Sequence, residues 1–176
     1  MNTTIVSLFR QQVQATPHHV AVVYKDKKFT YAEVDEISDR IAGYIASKGL
    51  GVEDVVSILI PRCEWMAIAS LGVLKAGCAY QPLDPSYPRE RLSFMMQDAN
   101  AKMLIADEEL RPIVDEYQGE VLLTKDIRNI ETSRLRCKAR QSFHPALYLW
   151  LDGRAEGGDA RAQESGGVLR LVSPLL

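Results

Sequence analysis

The sequence predicts an α/β protein: layered, with a mainly parallel sheet and flanking helices. Three observations carry this reading. Short apolar, β-branched runs alternate with segments of helical period along the chain. The run Val55 to Ile60 is apolar on both faces rather than at every second residue, as expected of a strand covered from both sides. The connections are short, so consecutive strands must return in the same direction through a helix.

The elements follow in order. Thr4 to Gln14 reads as a helix with Ile5, Leu8, Phe9 and Val13 on one face. Val20 to Tyr24 and Lys28-Phe29 flank the polar Lys25-Asp26-Lys27, which predicts a hairpin. Thr30 and Glu33 have capping-box spacing and Phe29 can staple onto Val34, so a second helix starts at this point. Its apolar stripe is Val34, Ile37, Ile41, Tyr44 and Ile45, and Gly49 followed by Leu50 supplies a left-handed stop. Val55 to Ile60 is a strand ended by Pro61, and Trp65 to Lys75 a helix apolar almost all round. A stop at Gly77, a short buried run and a proline-rich exit loop lead to a helix opening at Pro88, with Leu92, Met95, Met96 and Ala99 on its apolar face. Lys102 to Ala106 and Glu120 to Thr124 read as two further strands, with a helix near Asp107 to Tyr117 between them.

At 176 residues and 47% hydrophobic content the chain can build one substantial core. A net charge of -2 and an isoelectric point near 5.9 supply no basic stripe, which argues against nucleic acid as a partner. No apolar run reaches the roughly 20 residues that cross a bilayer, and Met1 to Gln14 lacks the features of a secretion signal, so a cytoplasmic protein with no membrane partner is expected. Cys63, Cys78 and Cys137 lack metal-ligand spacing and read as reduced, mostly buried thiols. G-x-G-x-x-G, an in-frame Walker loop, G-x-S-x-G and H-E-x-x-H are all absent.

The segment from Leu74 to Leu92, LKAGCAYQPLDPSYPRERL, resembles the second core motif of the adenylation domains of non-ribosomal peptide synthetases, within the AMP-binding, adenylate-forming ligase superfamily. That pattern reads LKAGxAYxPxDPxYPxER; Gln81 stands where an aliphatic residue is usual and Leu83 where isoleucine is usual. Thr30-Tyr31-Ala32-Glu33-Val34 is similar to the family's first core motif, TYxEL. The resemblance implies an enzyme that binds an amino acid and MgATP, forms an aminoacyl-adenylate, and passes the acyl group to the phosphopantetheine arm of a carrier protein. It also implies that residues 1–130 are the opening part of such a domain and that residues 131–176 are something else.

Beyond Ile130 the hydrophobic period disappears, and residues 153–167 are crowded with Gly, Ala, Arg, Glu and Asp. As it stands, this reads as an irregular polar tail. The third core motif, a Gly/Ser/Thr loop ending in Pro-Lys-Gly that cradles ATP phosphates, is expected here and is absent in frame. Reading each codon from its second base changes this. Trp150, encoded only by TGG, must then yield glycine; Tyr148 yields threonine or isoleucine, Asp152 threonine or methionine, Glu156 lysine or arginine. With the free wobble bases chosen, Phe143 to Gly157 become FILLYTSGSTGVPKG, and Gly158 to Ser165 become VMLEHKNL. A one-base slip between Ile130 and Ser142 is therefore expected.

No catalytic, cofactor-binding or metal-ligating residue is assigned in this chain, because the family's phosphate loop, pocket and later lysine fall beyond Ile130. ATP and Mg²⁺ belong to the intact family, and neither is expected to bind here. Lys75, at a helix C-terminus, reads as structural, Asp84 as a turn former, His18 and His19 as loop residues, and Met95-Met96 as core filling. Three readings stand: an inactive piece of an amino-acid-activating domain, a non-catalytic interaction module, and a piece of an acyl-CoA or aryl-acid ligase. Aggregation is expected of the first, because the sheet neighbours of the strands at residues 55–60 and 103–106 would partly come from missing sequence, leaving edges unpaired.

Overall fold

The computed structural model describes residues 4–130 and the pair Arg170–Leu171. Helix α1 spans Ile5–Ala15, and a hairpin of β1 (Val20–Tyr24) and β2 (Lys27–Thr30) leads into α2 (Tyr31–Ser47). Then come β3 (Val55–Leu59), α3 (Glu64–Lys75), β4 (Ala79–Pro82), α4 (Arg89–Asp98), β5 (Met103–Ala106) and β6 (Glu120–Leu123). Strand β7, Arg170–Leu171, pairs antiparallel with β1.

The larger sheet is wholly parallel, in the order β4-β3-β5-β6. The chain therefore leaves β3 sideways to β4, then crosses back over β3 to β5. Two right-handed crossovers in opposite directions must place their helices on opposite faces, and the two cores agree. Val56, Ile58 and Ile60 point with Met103 and Ile105 toward α2 and α3. Leu59, Leu104 and Ala106 point the other way, onto Leu92, Met95 and Met96 of α4.

Helix boundaries are set locally. At the start of α2, Glu33 N–H donates to Thr30 Oγ1 at 3.3 Å while Glu33 Oε2 accepts from Thr30 N–H at 2.7 Å, closing the capping box. These bonds hold the Glu33 carboxyl below its ordinary value of 4.5. A lowered folded value contributes stability that is present above the ordinary value and lost as pH falls through the lowered one. Unfolding free energy should therefore decline as acid titrates Glu33, and Glu33→Gln should remove that part of the decline in urea melts repeated down the pH scale. Gly49 (φ +78°) and Gly77 (φ +86°) stop α2 and α3 in the left-handed region, as the sequence predicts.

Four expectations need correction. In α1, Ile5 and Leu8 are half exposed while Val6 is buried, so the inward face is Val6, Phe9 and Val13. Phe9 turns inward because it packs on Tyr31, with ring centroids 5.6 Å apart. The segment Asp107 to Tyr117 is not a regular helix: turns surround a single 3-10 stretch, Arg111–Val114, since Pro112 cannot donate to an α-helical ladder. The short run after Gly77 is not a buried one: it forms β4, half-buried along Ala79 to Gln81 and exposed at Pro82. Strands β3 and β5 do not lack neighbours, because β4 and β6 of this chain flank them; the ground for expecting aggregation from those two runs is removed. The sheet's outer strands are short, four residues each.

Candidate functional site

In an open parallel sheet ligands settle outside the carboxyl ends of the strands, where successive connections leave in opposite directions. Here that point lies between β3 and β5. The loop after β3 carries Arg62 and Cys63, Glu64 opens α3, and the turn after β5 carries Asp107. Backbone bonds extend both ends, with Leu83 N–H donating to the Ile58 carbonyl at 2.8 Å and Asp107 N–H to the Leu59 carbonyl at 3.1 Å.

Three carboxylates at this rim, Glu64, Asp84 and Asp107, have structural partners among the described residues. Glu64, 2% exposed, receives Lys27 Nζ at 2.5 Å from the hairpin, and its other oxygen has no partner among the described residues. The Glu64 carboxylate raises the Lys27 ammonium above its ordinary value. Asp84 Oδ1 accepts from Ser86 N–H at 2.9 Å, an Asx turn that holds its carboxyl below the ordinary range. Asp107 accepts from Glu109 N–H at 3.1 Å. Cys63 is the N-cap of α3 without a side-chain cap bond; burial pushes its thiol up, assisted by Glu64 and Asp107. A thiol held up in this way is a poor nucleophile.

The described residues place no group of three or more His, Cys, Asp or Glu side chains that could hold a metal ion. Glu64 faces Lys27, while Asp84 and Asp107 each accept from their own turns, so the rim's described carboxylates are not gathered into a set that could hold Mg²⁺. The segment expected to hold phosphate, residues 143–157, lies outside the described residues, as do Cys137 and His144.

Lys75, in the last turn of α3, is structural, and its engagement reaches beyond its own helix. It is wholly buried, and its Nζ donates to Asp35 Oδ1 at 2.6 Å, Asp39 Oδ1 at 2.8 Å and the Asp35 carbonyl at 3.0 Å, lying 5.5 Å above the Phe9 ring. His18 and His19 are exposed between α1 and β1, and Met95 and Met96 are core. Cys78 is buried and, like Cys63, carries a reduced thiol.

Gln81, the departure from the family pattern, has a role that the sequence alone did not reveal. Its carbonyl accepts from the buried Ser57 hydroxyl at 2.8 Å, and its amide donates to the Met95 carbonyl at 3.1 Å. It thereby joins β4, β3 and the last turn of α4. Gln81→Leu should orphan Ser57 and cost about 1–3 kcal/mol. The double variant Ser57→Ala/Gln81→Leu should recover most of that loss in a denaturant double-mutant cycle; strict additivity would refute the coupling.

The AMP-binding enzyme family matches residues 9–159. The chain is similar to gramicidin S synthase 2 of Brevibacillus brevis, 34% identical over 170 residues, covering 96% of this chain and 4% of that protein. It is also similar to bacitracin synthase 3 of Bacillus licheniformis, 37% identical over 134 residues, 76% of this chain and 2% of that one. In three dimensions it resembles the N-terminal subdomain of Klebsiella oxytoca NpsA in complex with 3-hydroxybenzoyl-AMSN, with TM-score 0.66, 25% identity, and coverage of 74% and 33%. It also resembles the non-ribosomal peptide synthetase FmoA3, with TM-score 0.68 and 27% identity over 74% of this chain and 14% of that one. The parallel sheet with α3 and α4 on opposite faces, the LKAG segment ending α3 and these likenesses agree, and the chain belongs to the AMP-binding enzyme family, as an N-terminal portion of a peptide synthetase adenylation domain.

Proposed function

We propose that this polypeptide is a frame-interrupted adenylation domain whose ancestral reaction joins an amino acid to AMP at the expense of ATP and then hands the acyl group to a carrier protein's phosphopantetheine thiol. As a 176-residue chain it is inactive. The observation that carries this is an assembled scaffold whose strand-end carboxylates Asp84, Glu64 and Asp107 each make a structural contact, with one Glu64 oxygen left unpartnered among the described residues. A carrier protein as partner is supported by the similar artificially fused adenylation-PCP di-domain of Klebsiella oxytoca. The sequence relatives at 34% and 37% identity support the amino-acid branch. The 3-hydroxybenzoyl ligand of the NpsA complex keeps an aryl acid as the second reading.

When bound, MgATP supplies the adenylyl group and the charge neutralisation for attack on the α-phosphorus. This chain's own contribution is the carboxyl ends of β3 and β5, against which such a site is built. Residues 1–130 form that scaffold and residues 131–176 are the out-of-frame tail. No described helix is long and apolar enough to cross a membrane, and we assign the protein to the cytoplasm.

Two measurements test the proposal. Amino-acid-dependent ATP–pyrophosphate exchange should stay at the background of an enzyme-free control; exchange above it overturns the inactivity. The nucleotide sequence across codons 125–176 should spell Tyr, Ser and Ser in the second frame at Leu147, Leu149 and Leu151. Other wobble bases there end the frame-change account. It also requires that in-frame identity within the matched span 9–159 be concentrated before residue 131.

A further inference from the structure

We propose that the outer edge of β1 is a strand-acceptor site for an extended, mainly apolar segment running antiparallel to it, and that this chain's own Arg170–Leu171 occupies the site in cis. The proposal is independent of the adenylation reading, since it rests on the small sheet rather than on the strand ends. Strand β1 is paired along one edge by β2, from Val20 opposite Thr30 to Tyr24 opposite Lys27. Its other edge faces β7, with Val22 opposite Leu171 and Val23 opposite Arg170. Among the described residues, Val22 and Val23 are the β1 positions met on this edge.

The chemistry of the edge says what it accepts. Val20, Ala21, Val22, Val23 and Tyr24 carry no charge, and Ala21 and Val22 are each 2% exposed. The neighbouring turn is basic, with Lys25, Lys27 and Lys28 against Asp26. Main-chain bonds provide the affinity in this mode of recognition, and the side chains on alternate positions provide the selectivity. The residues around the occupant, Val168-Leu169-Arg170-Leu171-Val172, have the required apolar content with one polar position. An edge left open would be free to pair with another chain, so the cis strand also guards against association.

The test uses the full-length chain with both donors removed, Arg170→Pro/Leu171→Pro, because proline has no N–H and whichever of the two faces β1 is then lost. Amide exchange should rise about tenfold at the β1 amides that face away from β2, while the β3 and β5 amides, which report the fold, stay unchanged. A synthetic peptide of residues 167–173, added to that variant, should restore protection saturably, and the same peptide with proline at positions 170 and 171 should not. Unchanged β1 exchange in the variant would overturn occupation in cis. A variant whose β1 opens but which takes up no peptide would overturn the acceptor site. Exchange rising equally in β3 and β5 would show that the substitutions act on the whole fold and would likewise contradict the proposal.

Discussion

Gly72→Ala is expected to lower the stability of the folded chain by about 3 kcal/mol, read as a drop in the urea midpoint with unchanged slope. A Cβ at Gly72 would lie 2.6 Å from Ile41 Cβ, 2.7 Å from Ile41 Cγ2 and 3.1 Å from the Ser38 carbonyl oxygen. Two of these atoms are fixed to the α2 backbone, so no rotamer change relieves the contact and α2 must move off α3. The gain in helix propensity from glycine to alanine is only about 1 kcal/mol and does not offset it. Ile41→Val should not rescue, because it keeps both Cβ and Cγ2. A midpoint equal to or above that of the parent would show that α2 and α3 are not packed this closely.

The second large effect is at Lys75, whose ammonium lies between the same two helices. Lys75→Ala should cost about 3–5 kcal/mol, since it removes the counter-charge of Asp35 and Asp39 and leaves the space of a long side chain. Lys75→Met should cost less: the stem's packing near Phe9 is kept, and the two carboxylates, with side chains 27% and 44% exposed, remain reachable by water. In an Asp35→Asn/Asp39→Asn background the Lys75→Met penalty should shrink by at least half in thermal or urea melts. An identical penalty in both backgrounds would mean that packing alone accounts for the burial of this lysine.

Local signals made most of the fold legible. The Thr30 and Glu33 capping box, the left-handed stops at Gly49 and Gly77 and the two-faced apolar run at β3 are each set within a few residues, and each is found where the sequence puts it. What was not legible depends on distant partners. Nothing near Lys75 in sequence announces Asp35 and Asp39, 40 and 36 positions away, although their spacing on one face of α2 was a usable clue. Gln81 looked like a lapse from a pattern because its partners, Ser57 and Met95, belong to two other elements. In α1 the period alone allowed two faces, and the packing of Phe9 on Tyr31 selected one.

The site was legible in a different sense. The LKAG segment identified the scaffold, while the phosphate loop proposed for the second reading frame falls on residues 143–157, outside the described residues. The structure adds that the strand-end carboxylates within residues 4–130 are already bound to neighbours: Glu64 holds Lys27, Asp84 caps its own turn, and Asp107 does the same after β5. The two cores of the described residues pack on opposite faces of one sheet, away from these strand ends.

The most direct test is a calorimetric titration of the 176-residue protein with MgATP, run on material whose dispersed amide spectrum shows it to be folded. Heats indistinguishable from dilution are expected up to millimolar nucleotide. A saturable isotherm with a defined stoichiometry would contradict the loss of nucleotide binding.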